Sequence, residues 1–123
     1  MVAFDHIAVL ARDVTASSRF MAEILGIAPG SPDGPDGEMF RLPVGESGSL
    51  LYFPADHVPG QHIAFRVDET TFAAVVNRLR VRGLVFGNDP EDPTNMQTSD
   101  FLGGHGRVFF RDPNNHLFEV IVA

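Results

Sequence analysis

Apolar residues recur at helical spacing in two stretches of the chain. Each stretch follows an aspartate that is a good N-cap, Asp13 or Asp68, and stops before a glycine, Gly26 or Gly83. The residues that share the apolar face are Phe20, Met21, Ile24 and Leu25 in the first stretch and Phe72, Val75, Val76 and Leu79 in the second. The pattern predicts one amphipathic helix in each half of the chain.

Extended apolar segments follow each predicted helix and surround a short turn. The turns read GESG at residues 45–48 and DPNN at residues 112–115, where Pro113 and Asn114 have typical turn chemistry. The predicted strands on either side of these turns are residues 39–42 and 49–53 in the first half, and residues 107–110 and 116–122 in the second.

A short strand-like motif occurs twice. Residues 6–9 read HIAV, residues 62–65 read HIAF, and each copy precedes one of the helices. The sequence thus predicts two repeated βαβββ modules, residues 1–58 and 60–123, within a single domain that covers residues 1–123. We expect an α+β fold in which the modules form a curved mixed sheet with the helices packed outside.

Two loops fit poorly into this repeat. Residues 28–37 are rich in Pro, Gly and Asp, and residues 87–106 show little periodicity over about twenty positions. A loop as long as the second is either a lid or binding loop or a disordered surface excursion. Met96, Phe101 and Leu102 favour packing of this loop, because a fully solvated loop has no need of them.

Composition narrows the classes of function. The chain has 123 residues, a formal net charge of −7 and no Cys, which excludes disulfides, thiolate nucleophiles and Cys-ligated metals. Its few Arg residues are scattered, so we expect no nucleic-acid or membrane partner. No apolar run is long enough to span a bilayer, and residues 1–6 do not resemble the start of a signal peptide. We therefore expect a cytoplasmic protein.

Three distant residues could bind one metal ion. Glu119 alternates into an apolar row of the last strand, and His6 and His62 hold equivalent places in the repeat. A twofold relation between the modules would bring the two imidazoles together. Two His and one carboxylate are typical of a site for divalent Fe, Zn, Ni or Mn with open coordination positions. The alternatives are ordinary strand histidines and a charged residue that protects a sheet edge.

Glu119, Tyr52 and His105 are the candidate catalytic residues. Alignment of residues 48–53 with residues 115–120 places Tyr52 at the position of Glu119, where its phenol could donate a hydrogen bond to substrate or simply pack. His105 could act as a general base at a pocket mouth, or it could be a mobile loop residue. Arg107 could meet an anionic substrate, although an exposed strand charge is the simpler interpretation.

The motifs of both modules carry a resemblance to a known family. Residues 5–9 (DHIAV), 62–65 (HIAF) and 110–120 (FRDPNNHLFEV) resemble the vicinal oxygen chelate superfamily, and the resemblance covers essentially the whole chain. This superfamily includes glyoxalase I, extradiol dioxygenases, fosfomycin-resistance transferases and bleomycin-resistance proteins. The resemblance implies that His6, His62 and Glu119 are metal ligands. It also implies a homodimer, in which His6 of one subunit can lie near the other two ligands of its partner.

The resemblance leaves several functions open. One is a divalent-metal-dependent enzyme, dioxygenase-like or glyoxalase- and lyase-like, that chelates a small substrate through vicinal oxygens. Another is a metal-free, bleomycin-resistance-type protein that binds its ligand in a groove lined by Phe40, Tyr52, Phe109 and Phe110. A fosfomycin-resistance-like transferase is a third, although such proteins continue past the last strand. Glyoxalase I differs by having a Glu where Tyr52 stands.

Overall fold

The computed structural model describes residues 1–122, and the contacts between residues divide the chain after Pro59 into two units. The first unit contains β1 (His6–Ala11), α1 (Val14–Leu25), β2 (Ser31–Asp33), β3 (Met39–Val44) and β4 (Gly48–Pro54). The second unit contains β5 (His62–Arg66), α2 (Glu69–Val81), β6 (Gly106–Arg111) and β7 (Leu117–Val122). The predicted α+β fold with two similar modules is confirmed.

Each unit has its own mixed sheet. In the first, the strand order is β1-β4-β3-β2, with β1 parallel to β4 and the other pairs antiparallel. In the second, the order is β5-β7-β6, with β5 parallel to β7 and β6 antiparallel to it. Three strands follow α1, whereas only two strands follow α2 among the described residues. In place of the third strand, the second unit has an isolated β-bridge. Its two hydrogen bonds, of 3.1 and 2.7 Å, join the backbones of Gly87 and Phe109.

Both helices begin where the sequence predicts. Asp13 accepts a hydrogen bond of 2.9 Å from the Ala16 amide, and Asp68 accepts one of 2.7 Å from the Thr71 amide. These bonds satisfy amides that have no partner inside the helix. Gly26 ends α1 with φ +69°, a left-handed conformation that costs glycine little. Neither helix, nor any other helix of residues 1–122, is long and apolar enough to cross a membrane.

In each unit, one face of the sheet is buried against the helix. The fully buried strand residues alternate along the chain, because successive side chains of a strand point to opposite faces. In the first unit these are Val9, Ala11, Leu42 and Tyr52, and α1 adds Met21 and Ile24. In the second unit they are Val108, Phe118 and Val120, and α2 adds Val75 and Leu79. The opposite face of each sheet carries the remaining strand side chains.

The DPNN turn before β7 is closed by Asp112 and His116. Asp112 Oδ1 accepts hydrogen bonds from the amides of Asn114 (3.0 Å) and His116 (2.9 Å), and Asn115 takes the left-handed conformation at φ +69°. His116 is fully buried, and its Nδ1 accepts a hydrogen bond of 2.9 Å from the Gln61 amide. The imidazole therefore ties the residue before β5 to the start of β7.

Polar side chains, not apolar ones, order the long loop at residues 87–106. Asn88 is buried, donates to the Ser99 carbonyl at 2.9 Å and accepts from the Asn95 amide group at 2.8 Å. The apolar residues from which we expected packing are all exposed: Met96, Phe101 and Leu102. That expectation was wrong, because a network of short amide side chains satisfies the loop backbone in their place.

Candidate functional site

The second sheet presents a polar cluster on the side away from α2. We call this the helix-free face and define it by His62, Arg107, Phe109 and Glu119. Glu119 lies between its cross-strand neighbours Ala64 and Phe109, so all of these side chains point to one side. The opposite side chains of β6 and β7 pack under the helix, which leaves this face to carry the charged groups.

His62 and Glu119 lie side by side on the helix-free face. His62 pairs with Leu117, and Glu119 is two residues further along β7 on the same face. His62 Nε2 is 2.9 Å from Glu119 Oε1, within hydrogen-bond distance. The imidazole is 52% exposed, whereas the carboxylate is 7% exposed. The structure thus brings together two of the three predicted metal ligands, with the histidine as the more accessible of the two.

Phe109 provides an apolar neighbour to this pair. It lies directly opposite Glu119 in the register of β6 and β7, and its ring centroid is 6.0 Å from that of His62, at 47°. The ring is almost fully buried. An apolar wall of this kind lowers the effective dielectric around the carboxylate and strengthens its interactions with cations.

Arg107 connects Glu119 to a second carboxylate. Its Nη1 donates to Glu119 Oε2, and its Nε donates to Asp100 Oδ1 at 2.9 Å. The Arg107 side chain is 13% exposed and that of Asp100 is 3% exposed. The hydrogen bond between Arg107 and Asp100 lowers the pKa of Asp100 and raises the pKa of Arg107. Arg107 is therefore not the exposed strand charge that the sequence favoured.

The loop around Asp100 is built to hold that carboxylate in place. Asp100 Oδ1 also accepts a hydrogen bond of 2.9 Å from the Leu102 amide. A Cβ atom at Gly104 would lie 2.3 Å from Asp100 Oδ2 and 2.8 Å from the Val122 carbonyl oxygen, so only glycine fits there. Sequence reasoning missed Asp100, and the neighbouring GG at residues 103–104 was the available signal.

His6, the third predicted ligand, belongs to the first unit. Its Nδ1 lies 2.5 Å from Asp5 Oδ2, and this hydrogen bond lowers the pKa of Asp5. A carboxylate on Nδ1 favours the tautomer with its proton there, which leaves the lone pair on Nε2. Metal-binding histidines are commonly oriented in this way. Among residues 1–122, no group of three or more His, Asp or Glu side chains could by itself hold a metal ion.

Tyr52 does not occupy the position of Glu119. Glu119 lies two residues after the β7 residue that pairs with His62. Tyr52, by contrast, lies three residues after the β4 residue that pairs with His6. Leu51 holds the equivalent place. Tyr52 pairs with Val9, is fully buried and points to the side of the sheet that packs against α1. The predicted equivalence was wrong by one residue, which reverses the face of a strand.

His105 lies at the surface just before β6. Its imidazole is 67% exposed, and Nδ1 is 3.7 Å from the carboxylate of Glu69 at the start of α2. Its amide donates to the Val122 carbonyl at 2.9 Å. Since α2 packs on the other side of the sheet, this contact with Glu69 does not place the imidazole among the residues of the helix-free face. A role as general base stays a prediction.

Comparison with known proteins identifies the family. The model of the Glyoxalase/Bleomycin resistance protein/Dioxygenase superfamily matches residues 3–120. The chain belongs to this superfamily. Among solved structures, "Oxidase ChaP-H1" is 33% identical with a TM-score of 0.91, over 100% of this chain and 97% of that chain. "Oxidase ChaP-H2" is 32% identical with a TM-score of 0.89, over 99% and 94% of the two chains.

More distant superfamily members share the fold alone. Lactoylglutathione lyase from Agrobacterium tumefaciens is 20% identical with a TM-score of 0.71, over 96% of this chain and 91% of that chain. The fosfomycin resistance protein FosX from Listeria monocytogenes is 16% identical with a TM-score of 0.73, over 100% and 94%. No curated protein matched the sequence. The resemblance inferred from the motifs is thus confirmed at the level of the superfamily.

Proposed function

We propose that this superfamily member is a divalent-metal-dependent enzyme of the oxidase or dioxygenase type that acts on a small organic substrate. The observation that carries the proposal is the His62–Glu119 pair on the helix-free face, in which His62 Nε2 lies 2.9 Å from Glu119 Oε1. The solved structures at 33% and 32% identity are both named as oxidases, which favours this class over lyase or transferase chemistry.

The proposed ligand atoms are of the types that bind divalent metal ions. His62 Nε2, His6 Nε2 and a carboxylate oxygen of Glu119 would be the protein ligands, two neutral nitrogens and one anionic oxygen. Asp5 supports the choice of nitrogen at His6, because it occupies Nδ1. His6 lies in the first unit, whereas the other two proposed ligands lie in the second. We propose a homodimer in which the second copy supplies it.

The metal ion and the residues of the helix-free face would have separate roles toward the substrate. When bound, the metal supplies a Lewis acid for two neighbouring oxygens and, if it is Fe(II), a position for dioxygen. Phe109 is almost fully buried and excludes water from one side of Glu119. His62 is half exposed and so remains within reach of a molecule that enters from solvent.

The metal-free binding alternative loses most of its proposed lining. Phe40 and Tyr52 pair across β3 and β4 on the side of the first sheet that faces α1. Phe110 alternates to the helix side of the second sheet, where its ring lies 6.0 Å from that of Phe118. Only Phe109, of the four aromatic residues expected in a groove, belongs to the helix-free face.

Metal analysis tests the proposal directly. Protein purified without added metal would be analysed for its elements and then titrated with Fe²⁺, Zn²⁺, Ni²⁺ and Mn²⁺ by calorimetry. We expect stoichiometric binding that Glu119→Gln abolishes and that Glu69→Gln, an exposed carboxylate on α2, leaves intact. Oxygen uptake with a panel of catechols, compared with turnover of hemithioacetals and epoxides, would then separate the reaction classes. Unchanged metal binding by Glu119→Gln would contradict the assignment.

A further inference from the structure

Arg107 already binds one oxygen of the Glu119 carboxylate, the group that a metal ion would need as a ligand. Glu119 Oε1 faces His62, and Glu119 Oε2 accepts from Arg107 Nη1, so both oxygens are engaged. The side chains of Glu119 and Arg107 are 7% and 13% exposed. A buried carboxylate without a cation is costly, and Arg107 removes that cost in the metal-free protein.

A metal ion at Glu119 would add two positive charges next to the guanidinium. In a poorly hydrated site like-charge repulsion is strong, because little water screens it. Binding of the metal must therefore weaken the contact between Arg107 and Glu119. The guanidinium does not lose every anionic partner, since its Nε donates to Asp100 Oδ1 at 2.9 Å.

Resting on the metal site proposed above, we propose that Arg107 is an exchangeable counter-ion of Glu119 that sets the metal affinity of this protein. In the metal-free chain Arg107 neutralises Glu119. On metal binding it releases one carboxylate oxygen and stays attached to Asp100. One cation thereby replaces another beside the carboxylate. Arg107 is thus a positioning residue that acts through Glu119, and Asp100 is its anchor.

The geometry around Asp100 supports the anchoring role. Oδ1 receives both Arg107 Nε and the Leu102 amide, and the absence of a Cβ at Gly104 makes room for Oδ2. The Arg107 backbone is also fixed, since its amide donates to the Thr98 carbonyl at 3.0 Å. Both ends of the guanidinium's connection to Asp100 are therefore held independently of Glu119.

The test measures metal affinity in metal-free protein by calorimetry or by competition with a chelating indicator, using Zn²⁺ as the probe. Arg107→Gln keeps a hydrogen-bond donor but removes the charge, and we expect it to bind Zn²⁺ about tenfold more tightly or better, because the repulsion is gone. Arg107→Lys keeps the charge and should stay near the wild-type affinity. Arg111→Gln removes an exposed cation from the same strand and serves as the matched control.

A second variant predicts a change of the opposite sign. Asp100→Asn deprives the guanidinium of its other carboxylate, so Arg107 should hold Glu119 more strongly and Zn²⁺ binding should weaken several-fold. Tighter binding by Arg107→Gln would support the inference, because structural damage alone can only weaken binding. Equal or weaker binding by a folded Arg107→Gln would overturn it. If Arg107→Gln fails to fold, unchanged or tighter binding by Asp100→Asn would overturn it.

The outcomes also separate this inference from the proposed function. Zn²⁺ binding that depends on Glu119 but is insensitive to Arg107 and Asp100 overturns the counter-ion role and leaves the metal site standing. Zn²⁺ binding that is absent, or that persists in Glu119→Gln, overturns the metal site and the inference together. Tighter binding in Arg107→Gln that is lost again in Arg107→Gln/Glu119→Gln supports both.

Discussion

Glu119 lies between two cationic or proton-bearing groups, with Oε1 at 2.9 Å from His62 Nε2 and Oε2 bound by Arg107 Nη1. The three side chains come from three different strands and share one face because of the register of β5, β7 and β6. One carboxylate is thus the point at which His62 and Arg107 meet. The metal binding that we propose depends on how these two groups share that carboxylate.

Asp5 is expected to orient His6 for metal binding. Asp5→Asn removes the charge that holds the Nδ1 proton, so a larger fraction of the imidazole can adopt the wrong tautomer or rotamer. Metal affinity should fall by about 10- to 100-fold, the range found for partners of metal-binding histidines. Calorimetric titration measures it, with Asp56→Asn, another exposed aspartate, as the control. Equal affinities in the two variants would show that Asp5 does not support His6.

Mixing two defective variants tests the origin of His6. In a homodimer that exchanges ligands, a mixed dimer of His6→Ala and Glu119→Gln has one site with both defects and one intact site. After unfolding and refolding together, the mixture should regain metal binding at up to about one quarter of all sites on statistical association. Each variant refolded alone gives the baseline. No recovery in a sample shown to contain mixed dimers would place all three ligands in one chain.

His116 is expected to stabilise the second unit. His116→Ala leaves the Gln61 amide without its acceptor and opens a cavity beside Phe118, whose ring it meets edge-on at 6.4 Å. We expect a loss of about 2 kcal/mol or more in the free energy of unfolding. Urea denaturation at pH 7 measures it, and His57→Ala, at an exposed position, should change little. Similar midpoints for the two variants would contradict the role of the imidazole.

The Arg107–Asp100 ion pair predicts a loss of stability in acid. The pKa of Asp100 is lowered by its hydrogen bond from Arg107, so its contribution to stability is present above the unfolded pKa of about 4 and is lost as the pH falls through the folded value. Asp100→Asn should therefore have a lower Tm than wild type at pH 7, with a difference that shrinks below about pH 4. Thermal melts from pH 7 to pH 3 measure this. A difference that is the same at every pH would mean that the charge of Asp100 is irrelevant.

Patterns among neighbouring residues predicted both helices and the orientation of Glu119 in β7. Asp13 and Asp68 cap helices because their short carboxylates reach the free amides, whatever the tertiary structure. The alternation of β7 placed Glu119 on the same face as Leu117 and Ile121, because successive strand residues point to opposite sides. These features depend on neighbours in sequence or on the two-residue period of a strand, and both can be read from a single chain.

The remaining features needed a register or a long-range contact. Tyr52 was misplaced because alignment of two dissimilar strands can slip by one residue, and that slip exchanges the two faces of a sheet. Arg107 was underestimated because its anchor, Asp100, stands in a loop without periodicity, where sequence offers no rule for which side chain points inward. Net charge and spacing carry no information about such pairs.

The loop that runs from the Gly87–Phe109 bridge back to β6 has a consequence for protein engineering. New sequence can be grafted into this loop because it joins two fixed backbone points. It also carries Asp100, so any graft that omits an acid at that position redistributes the charge around Glu119. A redesigned loop therefore has to be screened for retention of the contact between Asp100 and Arg107.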